Sequence, residues 1–486
     1  MLETPLETIA RLVTQLDTRG TEVRRNERYF RGDQPLVYAS AEWRAFNERR
    51  FANFSDNWCG VVGSSPAERI RLTGIRLGDD NDIQSTDEAD LMRVWHENEL
   101  DMASSQGFLH TIVASRSFVM VWPGDDGDPV VTWERADQVI VDYDPDTRRP
   151  ARALKVWNDG ETEYANLYYT TEVYKYSRPW METAQVGANI EVDRNFKAGV
   201  PAPHRITDAP WIAREVPGET WPMPNPMGLV PIVEIPNRPM LGGEPISDIA
   251  GTIAMQDAIN LLWAYLFAAA DFASMPARVV MGQEPPQIPI LDTDGKVIGM
   301  QPVDIEQLTK GRMLWLTGEN TSIGQWEASR LDTFTEVINR CVRHVAAQTR
   351  TPVHYIVGEM SNVNGETLIA METGLVKKVE EFHLFASGAM RQVFRLIALA
   401  MGDQALADKV RIGQILWADP QTRTQAQASD AALKDRQVGF PLSWVAEKRY
   451  GLTPPEIASL MAMRETETAS MLTGDLAAAF APKPNA

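Results

Sequence analysis

The chain is poor in the residues that build metal sites and disulfide frameworks. Its 486 residues include two cysteines, Cys59 and Cys341, and six scattered histidines. The two cysteines lie far apart and form no CxxC pair, which indicates a reducing compartment rather than a disulfide framework or zinc knuckle. Both lie among apolar residues, so we expect them to be small core side chains. The sequence therefore predicts no metal ion and no cofactor.

The sequence also has none of the common short motifs of catalysis. It contains no GxxxxGK[ST], no GxGxxG after a strand, no HExxH and no GxSxG. The run from Asp142 to Asp146 begins like a calcium loop, but Thr147 and Ala153 stand where that loop needs Gly and Glu. A strand end with an Asp-Pro-Asp turn explains the run better. We therefore expect no enzymatic activity.

Cations are too few for a protein that wraps nucleic acid. The chain has 47 Lys and Arg against 66 Asp and Glu, a formal net charge of -19. Neutralising phosphates requires a basic surface, so the balance argues against tight DNA binding. It does not exclude a protein that lets DNA pass without holding it.

Long hydrophobic runs and a signal peptide are also missing. The N-terminus has acids where a signal peptide has a basic region. The most hydrophobic window, 258–270, is bracketed by Asp257 and Asp271 and is shorter than the roughly 20 apolar residues that span a bilayer. We expect a soluble intracellular protein with no membrane contact.

Hydrophobic periodicity predicts a helix-rich α+β fold. Apolar residues at helical spacing alternate with Val- and Trp-rich runs and proline-rich connectors. Helices are predicted at about 5–30, 53–67, 86–117, 246–275, 331–350 and 366–401. An antiparallel sheet is predicted over 118–180, a proline-studded connector over 201–245, a β-rich insertion over 276–330 and a polar helical tail from 420.

Three helices can be defined more closely. Thr4, Pro5 and Glu7 form a capping box at the start of the first helix, and Gly32 ends it. Two further helices carry apolar stripes at helical spacing. The stripe of the helix at 331–350 comprises Phe334, Val337, Ile338, Cys341, Val342 and Val345; that of the helix at 366–401 comprises Leu368, Met371, Leu375, Val379, Phe382, Val393 and Ile397.

The order of these segments, together with five local strings, resembles the portal (head-to-tail connector) proteins of tailed phages. The likeness is strongest to long-tailed actinobacterial phages and covers nearly the whole chain. The strings are NWCGVVGSSPAERIRLTGIRL at 57–77, VPIVEIPNRP at 230–239, SDIAGTIAMQDAINLLWAYLFAAADFASMPARVVMG at 247–282, NGETLIAMETGLVKKVEEF at 364–382 and WADPQTRTQAQASDAALKDRQVGFP at 417–441.

The resemblance implies a portal fold with wing, stem, clip and crown regions. The implied regions are a wing at 1–245, a stem helix at 246–275, a clip at 276–330, a second stem helix at 331–350 and a tunnel loop at 351–365. Residues 366–418 then comprise a long helix and a strand near 410–417 that belongs to the wing, and residues 419–486 form crown helices and a flexible tail.

The resemblance also implies a function. Family members form twelve-fold rings at one capsid vertex, through which double-stranded DNA passes non-specifically during packaging and ejection. The implied partners are further copies of the chain, the large terminase, the head-to-tail adaptor, the major capsid protein and the scaffold. The implied location is the virion, after assembly in the host cytoplasm.

The resemblance implies three sets of site residues. Between Thr351 and Gly365 the only charge is Glu359, which suits a loop past which DNA slides. The loop residues expected to face DNA are His354, Tyr355, Met360, Asn362 and Asn364. The clip residues expected to face partners are Arg278, Lys296, Lys310 and Arg312. Trp263, Tyr265 and Phe267 are expected either at the stem contact between subunits or in the core of their own chain.

Two alternatives remain at this point. One is a metal-dependent nuclease or hydrolase built on dispersed carboxylates such as Asp142, Asp144 and Asp146. The other is a different ring or adaptor protein of the virion. The long stem-like helices and the insertion between them argue against an adaptor, because adaptors are much shorter chains.

Overall fold

The computed structural model describes residues 3–36, 54–77, 86–180, 209–274, 278–281, 287–291, 295–302, 313–316, 322–325, 330–357, 365–421 and 425–480. The described residues form two compact units. The first draws on Met1–Gln34, Asn57–Ile253 and Ala346–Ala486, and the second on Pro35–Asp56 and Ala254–Val345.

The first unit begins with helices and then forms most of its strands. In chain order its elements up to residue 236 are α1 (Pro5–Arg31), α2 (Trp58–Ala67), β1 (Leu72–Arg76), α3 (Thr86–Glu97), α4 (Leu100–Ala114), β2 (Arg116–Pro123), β3 (Pro129–Glu134), β4 (Val139–Tyr143), β5 (Pro150–Asn158), β6 (Thr162–Tyr169), β7 (Glu172–Pro179), β8 (Ile212–Ala213), β9 (Met223–Pro224) and β10 (Ile232–Pro236).

Two long helices and a set of short strands follow. These elements are α5 (Ile253–Ser274), β11 (Arg278–Met281), β12 (Gln287–Leu291), β13 (Val297–Pro302), β14 (Met313–Leu316), β15 (Ser322–Gln325) and α6 (Leu331–Thr349). The chain then completes the first unit. The remaining elements are α7 (Val353–Val357), α8 (Gly365–Ala400), α9 (Gln404–Val410), β16 (Gln414–Trp417), α10 (Gln425–Val438), α11 (Leu442–Tyr450) and α12 (Pro454–Phe480).

The two ends of α1 have the predicted caps. The Thr4 side chain accepts a hydrogen bond from the Glu7 amide, and the Glu7 carboxylate accepts one from the Thr4 amide at 2.8 Å. Gly32 takes the left-handed conformation at φ 85°, which a glycine adopts without a steric penalty. Local sequence alone fixes both ends, so the prediction is confirmed.

The prediction of one helix over 86–117 is wrong, because the chain breaks between α3 and α4. Asn98 donates to the Val94 and Pro129 carbonyls and accepts from the Val131 amide, so it caps α3 and fixes the start of β3. Glu99 then takes a left-handed conformation at φ 53°. Each of the two helices contributes a large buried ring, Trp95 from α3 and Phe108 from α4.

The predicted antiparallel strands over 118–180 are confirmed, but they belong to two sheets. Strands β10, β2 and β3 form one sheet, and β4 to β8 follow one another in a larger sheet to which β9 adds on β7. Helix α1 packs on the larger sheet: Ile9, Leu12 and Leu16 lie in one buried cluster with Leu154 and Leu167. Alternating apolar residues thus bury one face of the sheet against the helix.

Helix α8 is the centre of the main core of the first unit. Phe394 stacks on Trp95 at 5.6 Å between ring centroids, and Phe382 meets Phe108 edge to face at 5.7 Å. Leu375 is also buried. The first turns depart from the predicted stripe, since Met371 is 39% exposed. Leu368, one turn earlier, is half-buried.

Strand β16 returns after α8 and pairs antiparallel with β1. Trp417, its last residue, donates its indole N–H to the Ser387 hydroxyl at 2.9 Å and stacks on His383 at 4.5 Å between ring centroids. Burial lowers the pKa of His383 to about 4, so the ring lies against the indole in its neutral form.

The second unit contains most of α5 and α6 and the predicted β-rich insertion. Strands β14, β11 and β15 form one sheet, in which β11 pairs parallel with β14 and antiparallel with β15. Strands β12 and β13 form a hairpin. On α6 the predicted stripe is buried at Ile338, Val342 and Val345, but Val337 at its edge is 42% exposed.

Helix α5 combines an apolar surface with buried polar side chains. By length and composition alone, the stretch Ala250–Asp271 could cross a membrane. The shorter window at 258–270 suggested that the apolar run is too short for a span, and the length of this stretch removes that argument. This is weak evidence, because a core helix passes the same test. Asn260 is fully buried and accepts from the Asp56 amide, and Gln256 donates to the Asp56 carbonyl.

Two helix glycines provide a matched test of the packing in the first unit. A Cβ added to Gly107 would lie 2.0 Å from the Trp133 ring, which the Ser117 hydroxyl and Phe108 hold in place. Gly107→Ala should therefore cost about 3 kcal/mol through overpacking. A Cβ at Gly388 meets nothing within 4 Å. Gly388→Ala should gain up to about 1 kcal/mol from helix propensity. Urea midpoints that shift equally for both variants would contradict this packing.

The neutral His383 predicts a pH dependence of stability. Its pKa of about 4 in the fold lies below the ordinary value of 6.5. The unfolded chain therefore binds more protons between these values, and the contribution of His383 is complete above pH ~6.5 and lost as the pH falls toward ~4. The loss should be on the order of 3 kcal/mol and absent in His383→Gln, as measured by urea unfolding across this range. Parallel curves for the two proteins would contradict the prediction.

Candidate functional site

The segment at 351–365 begins with an ordered turn. Helix α6 ends at Thr349, Arg350 takes a left-handed conformation at φ 57°, and the Thr351 amide donates to the Ala346 carbonyl at 3.1 Å. The chain then forms the short helix α7. The prediction of an uninterrupted loop is therefore wrong for residues 353–357. Met360, Asn362 and Asn364 lie outside the described residues.

Glu372 on α8 connects the start of this segment to the rest of the first unit. Its carboxylate lies 3.2 Å from an Arg69 guanidinium nitrogen and accepts from the Tyr355 hydroxyl at 3.2 Å. Arg69 also donates to the Tyr355 oxygen at 2.5 Å and to the Pro420 carbonyl at 3.0 Å. Both side chains of the ion pair are at least four-fifths buried. The cluster joins four parts of the chain that are distant in sequence.

The structure places His354 and Tyr355 differently from the loop residues that the sequence predicts. The His354 side chain is 9% exposed and its Nε2 lies 3.7 Å from the Glu372 carboxylate. Tyr355 is 37% exposed, and partial burial raises the pKa of its hydroxyl, which stays a donor. The burial of His354 argues against direct DNA contact by that side chain. Both residues lie against Glu372 and so hold α7 in place, and the DNA contact of Tyr355 stays a prediction.

A second buried cluster centres on Lys378, also on α8. The Lys378 ammonium lies 2.7 Å from one Asp248 carboxylate oxygen and donates to the Thr349 carbonyl at 3.2 Å. The other Asp248 oxygen accepts from Asn237 at 2.9 Å and lies 3.0 Å from Arg238. The side chains of Lys378 and Asp248 are 8% and 3% exposed. Both charges are thus removed from water and compensated by their partners.

The Lys378 cluster lies where the chain leaves the first unit and where it returns. Asp248 precedes the 3₁₀ turn Ala250–Thr252 and the start of α5, and Thr349 is the last residue of α6. One ammonium group therefore holds both connecting segments together within the first unit. Lys377, the residue before Lys378, is 66% exposed and pairs with Glu380 on its own helix.

The aromatic residues predicted for a subunit contact have partners within the second unit. The Trp263 indole donates to the Asp56 carboxylate at 2.8 Å and stacks on Phe267 at 5.6 Å between centroids. Phe54 meets both rings edge on. Phe267 remains 36% exposed and Tyr265 is half-buried. Their role between subunits stays a prediction.

The four cations predicted to face partners lie in or near the insertion. Lys296 is exposed directly before β13, and Arg278 is the first residue of β11. Lys310 and Arg312 lie outside the described residues.

The acidic run at 142–146 forms the predicted turn. Asp142 pairs with Arg11 and Arg152, and the Asp144 carboxylate accepts from the Asp146 and Thr147 amides. These hydrogen bonds lower the pKa of Asp144. Among the described residues, no group of three or more His, Cys, Asp or Glu side chains is arranged to hold a metal ion.

Comparison with known proteins identifies the family. The family of phage portal proteins described as SPP1 Gp6-like matches residues 9–441. The chain belongs to this family of phage portal proteins, and the resemblance that the sequence strings carry is confirmed. Two portal proteins of mycobacteriophages, D29 and L5, are each 27% identical to the chain over 394 residues, which is 76% of this chain and 70% of the relative.

Two solved structures that match the chain come from gene transfer agent particles. One is a chain from the virion of a native particle, with a TM-score of 0.39, 12% identity and coverage of 81% of this chain and 88% of that chain. Another is from the neck of a native particle computed with C12 symmetry, with a TM-score of 0.37, 13% identity and coverage of 72% and 79%. At these TM-scores the family assignment depends on the sequence matches.

The sequence did not reveal the two ionic clusters. Arg69, Asp248, Glu372 and Lys378 are ordinary charged residues in the sequence, and only the fold brings them together. A partial signal existed for Lys378, because it falls among the apolar positions of α8, between Leu375 and Phe382. A lysine beside a buried stripe needs a partner.

Adjacent lysines provide a matched test of the buried cluster. Lys378→Met removes the partner of a buried carboxylate and should lower the free energy of unfolding by about 3 kcal/mol. Lys377→Met removes an exposed pair within one helix and should change it by less than about 0.5 kcal/mol. Denaturant unfolding of both variants measures the difference. Equal values would show that the buried pair contributes no more than the exposed one.

Proposed function

We propose that this chain is the subunit of a ring that forms a DNA channel at one capsid vertex. DNA enters through the channel during packaging and leaves through it during ejection. The proposed ring has twelve copies, and its movement of DNA depends on a separate ATPase. The chain is then a structural component of the virion, assembled in the host cytoplasm.

The observation that carries this proposal is the family match over residues 9–441. It spans both long helices, the insertion between them, α8 and β16. A closed ring of one chain needs two different faces that meet in each contact. The partly exposed Phe267 and the apolar first turns of α8 around Met371 supply surface for such contacts.

We propose the following regions for the ring. Residues 1–245, with the strand near 410–417, form the wing, and the pairing of β16 with β1 supports this grouping. Helices at 246–275 and 331–350 form the stem, 276–330 the clip, 351–365 the tunnel loop and 419–486 the crown. The Lys378 cluster then fixes the points where both stem helices join the wing.

We propose that the clip binds the large terminase and later the head-to-tail adaptor, with Arg278, Lys296, Lys310 and Arg312 facing these partners. The wing and crown face the major capsid protein and the scaffold. Double-stranded DNA passes without sequence-specific contact. The nearly uncharged segment at 351–365 supports this, because holding DNA by its phosphates would require cations.

Native mass spectrometry of the purified full-length chain tests the ring. We expect a closed oligomer, with twelve copies as the main species, because identical heterologous contacts close at a fixed number. A chain that stays monomeric at all concentrations, even with scaffold and capsid protein present, would exclude the proposed function.

Deleting residues 356–364 tests the tunnel loop. The anchors His354 and Tyr355 remain in this variant, so rings should still assemble. Capsids built with them should protect less DNA from nuclease, because the segment proposed to face DNA is gone. Replacing the same residues with Gly and Ser keeps the length and separates the effect of the gap from that of the side chains. Loss of rings in the deletion variant would contradict the assignment.

A further inference from the structure

The end of α6 has a charge pattern opposite to that of the chain. Residues 337–350 include Arg340, Arg343 and Arg350 and no aspartate or glutamate, although the whole chain has a net charge of -19. Arg350 pairs with Glu381. Arg350 belongs to the first unit, whereas the other two arginines of this acid-free stretch, Arg340 and Arg343, belong to the second.

Arg340 and Arg343 lie on the outward face of α6. Ile338, Val342 and Val345 bury the other face. Helical spacing places six exposed residues opposite that buried stripe. They are Thr333, Glu336, Arg340, Arg343, His344 and Ala347. The face thus has cations at its centre and no large apolar side chain.

The charges on this face are only weakly compensated. Arg340 lies 3.6 Å from Glu336, but both side chains are about three-quarters exposed, so water screens the pair. Among the residues that the structure describes, no carboxylate lies in ion-pair distance of Arg343. The face therefore presents positive charge that a polyanion can neutralise.

We propose that Arg340 and Arg343 contact the phosphates of the passing DNA. This inference rests on the proposed function and adds to it the residues that touch the DNA backbone. In a closed ring every copy presents the pair at the same height, so the arginines form a belt of positive charge. The segment at 351–365, which the sequence singles out for DNA contact, is nearly uncharged by comparison.

The geometry of the pair suits a sliding contact. Arg340 and Arg343 lie three residues apart, about 4.5 Å along the helix axis. Double-stranded DNA carries one negative charge per roughly 1.7 Å of its axis, so phosphates are always within reach as the duplex advances. Contacts to phosphates carry no sequence information. Exposed arginine side chains can exchange one phosphate for the next.

A contact between two copies of the chain explains the face less well. Stable protein interfaces have an apolar centre, with charged residues depleted there. The outward face of α6 has its two arginines at the centre instead. The alternative is that the acidic surface of a neighbouring copy binds this face. A variant that lacks both arginines separates the two cases, because it loses ring assembly only if the arginines contact a neighbouring copy.

The test compares rings of the full-length chain with and without the pair. Binding of a short, fluorescently labelled DNA duplex is measured by anisotropy over a series of salt concentrations. In rings of the Arg340→Gln, Arg343→Gln double variant, the affinity for the duplex at low salt should fall by about tenfold or more. Each phosphate that is no longer neutralised keeps its bound counterions, and the release of those counterions favours binding. The slope of log affinity against log salt should become shallower by about 0.9 for each phosphate that the variant no longer neutralises.

The control removes two exposed cations elsewhere. Arg411 and Lys434 are 61% and 69% exposed and pair with neighbouring acids on the surface. The Arg411→Gln, Lys434→Gln variant makes the same change in net charge and should keep the affinity and salt dependence of the wild type. Negative-stain images confirm in each case that rings are present.

Three results would overturn the inference. The first is an equal reduction in affinity for both double variants, because a general effect of net charge would explain it. The second is that wild-type rings bind no duplex at low salt. The third is that the Arg340→Gln, Arg343→Gln chain forms no rings while the control variant does, which would assign the arginines to a contact between copies. These results leave the proposed ring in place. A wild-type chain without rings would instead remove the proposed function, and this inference with it.

Discussion

The buried contact between Lys378 and Asp248 is the constraint on which the arrangement of the first unit depends. An ammonium and a carboxylate that are both more than nine-tenths buried are tolerated only with their partners in place. The Lys378 ammonium serves Asp248 and the Thr349 carbonyl together. This geometry requires the chain before α5 and the end of α6 to meet beside the middle of α8. The apolar core around Phe394 and Phe382 holds α8 itself.

Two ionic clusters on α8 position different segments of the chain. Glu372 fixes α7 and the end of α2 through Tyr355 and Arg69, and Lys378 fixes the two connecting segments. Both lie before the most deeply buried part of the helix, which begins at Val379. The helix therefore has an apolar half that makes the core and a polar half that positions the neighbouring segments.

The sequence predicted what local chemistry determines. The capping box at Thr4 and Glu7, the strands over 118–180 and the helices at 331–350 and 366–401 follow from caps and hydrophobic periods, and all are confirmed. It failed where a distant partner decides. The break at Glu99 depends on Asn98 reaching β3, and the burial of His354 depends on Glu372 of another helix. The acid-free stretch at 337–350 was visible in the sequence, but only the burial of Ile338 and Val342 shows that Arg340 and Arg343 point outward.

An acidic chain with a local cationic face fits a channel that DNA must traverse freely. In the proposed channel, the negative balance would keep DNA from adhering to the protein in general, and Arg340 and Arg343 would contact the phosphates of the duplex. The most direct measurement is a cryo-EM reconstruction of the ring formed by the full-length chain. The account predicts a closed ring with Arg340 and Arg343 on the wall of the central channel. A ring in which these residues lie between neighbouring copies or on the outer surface would contradict it.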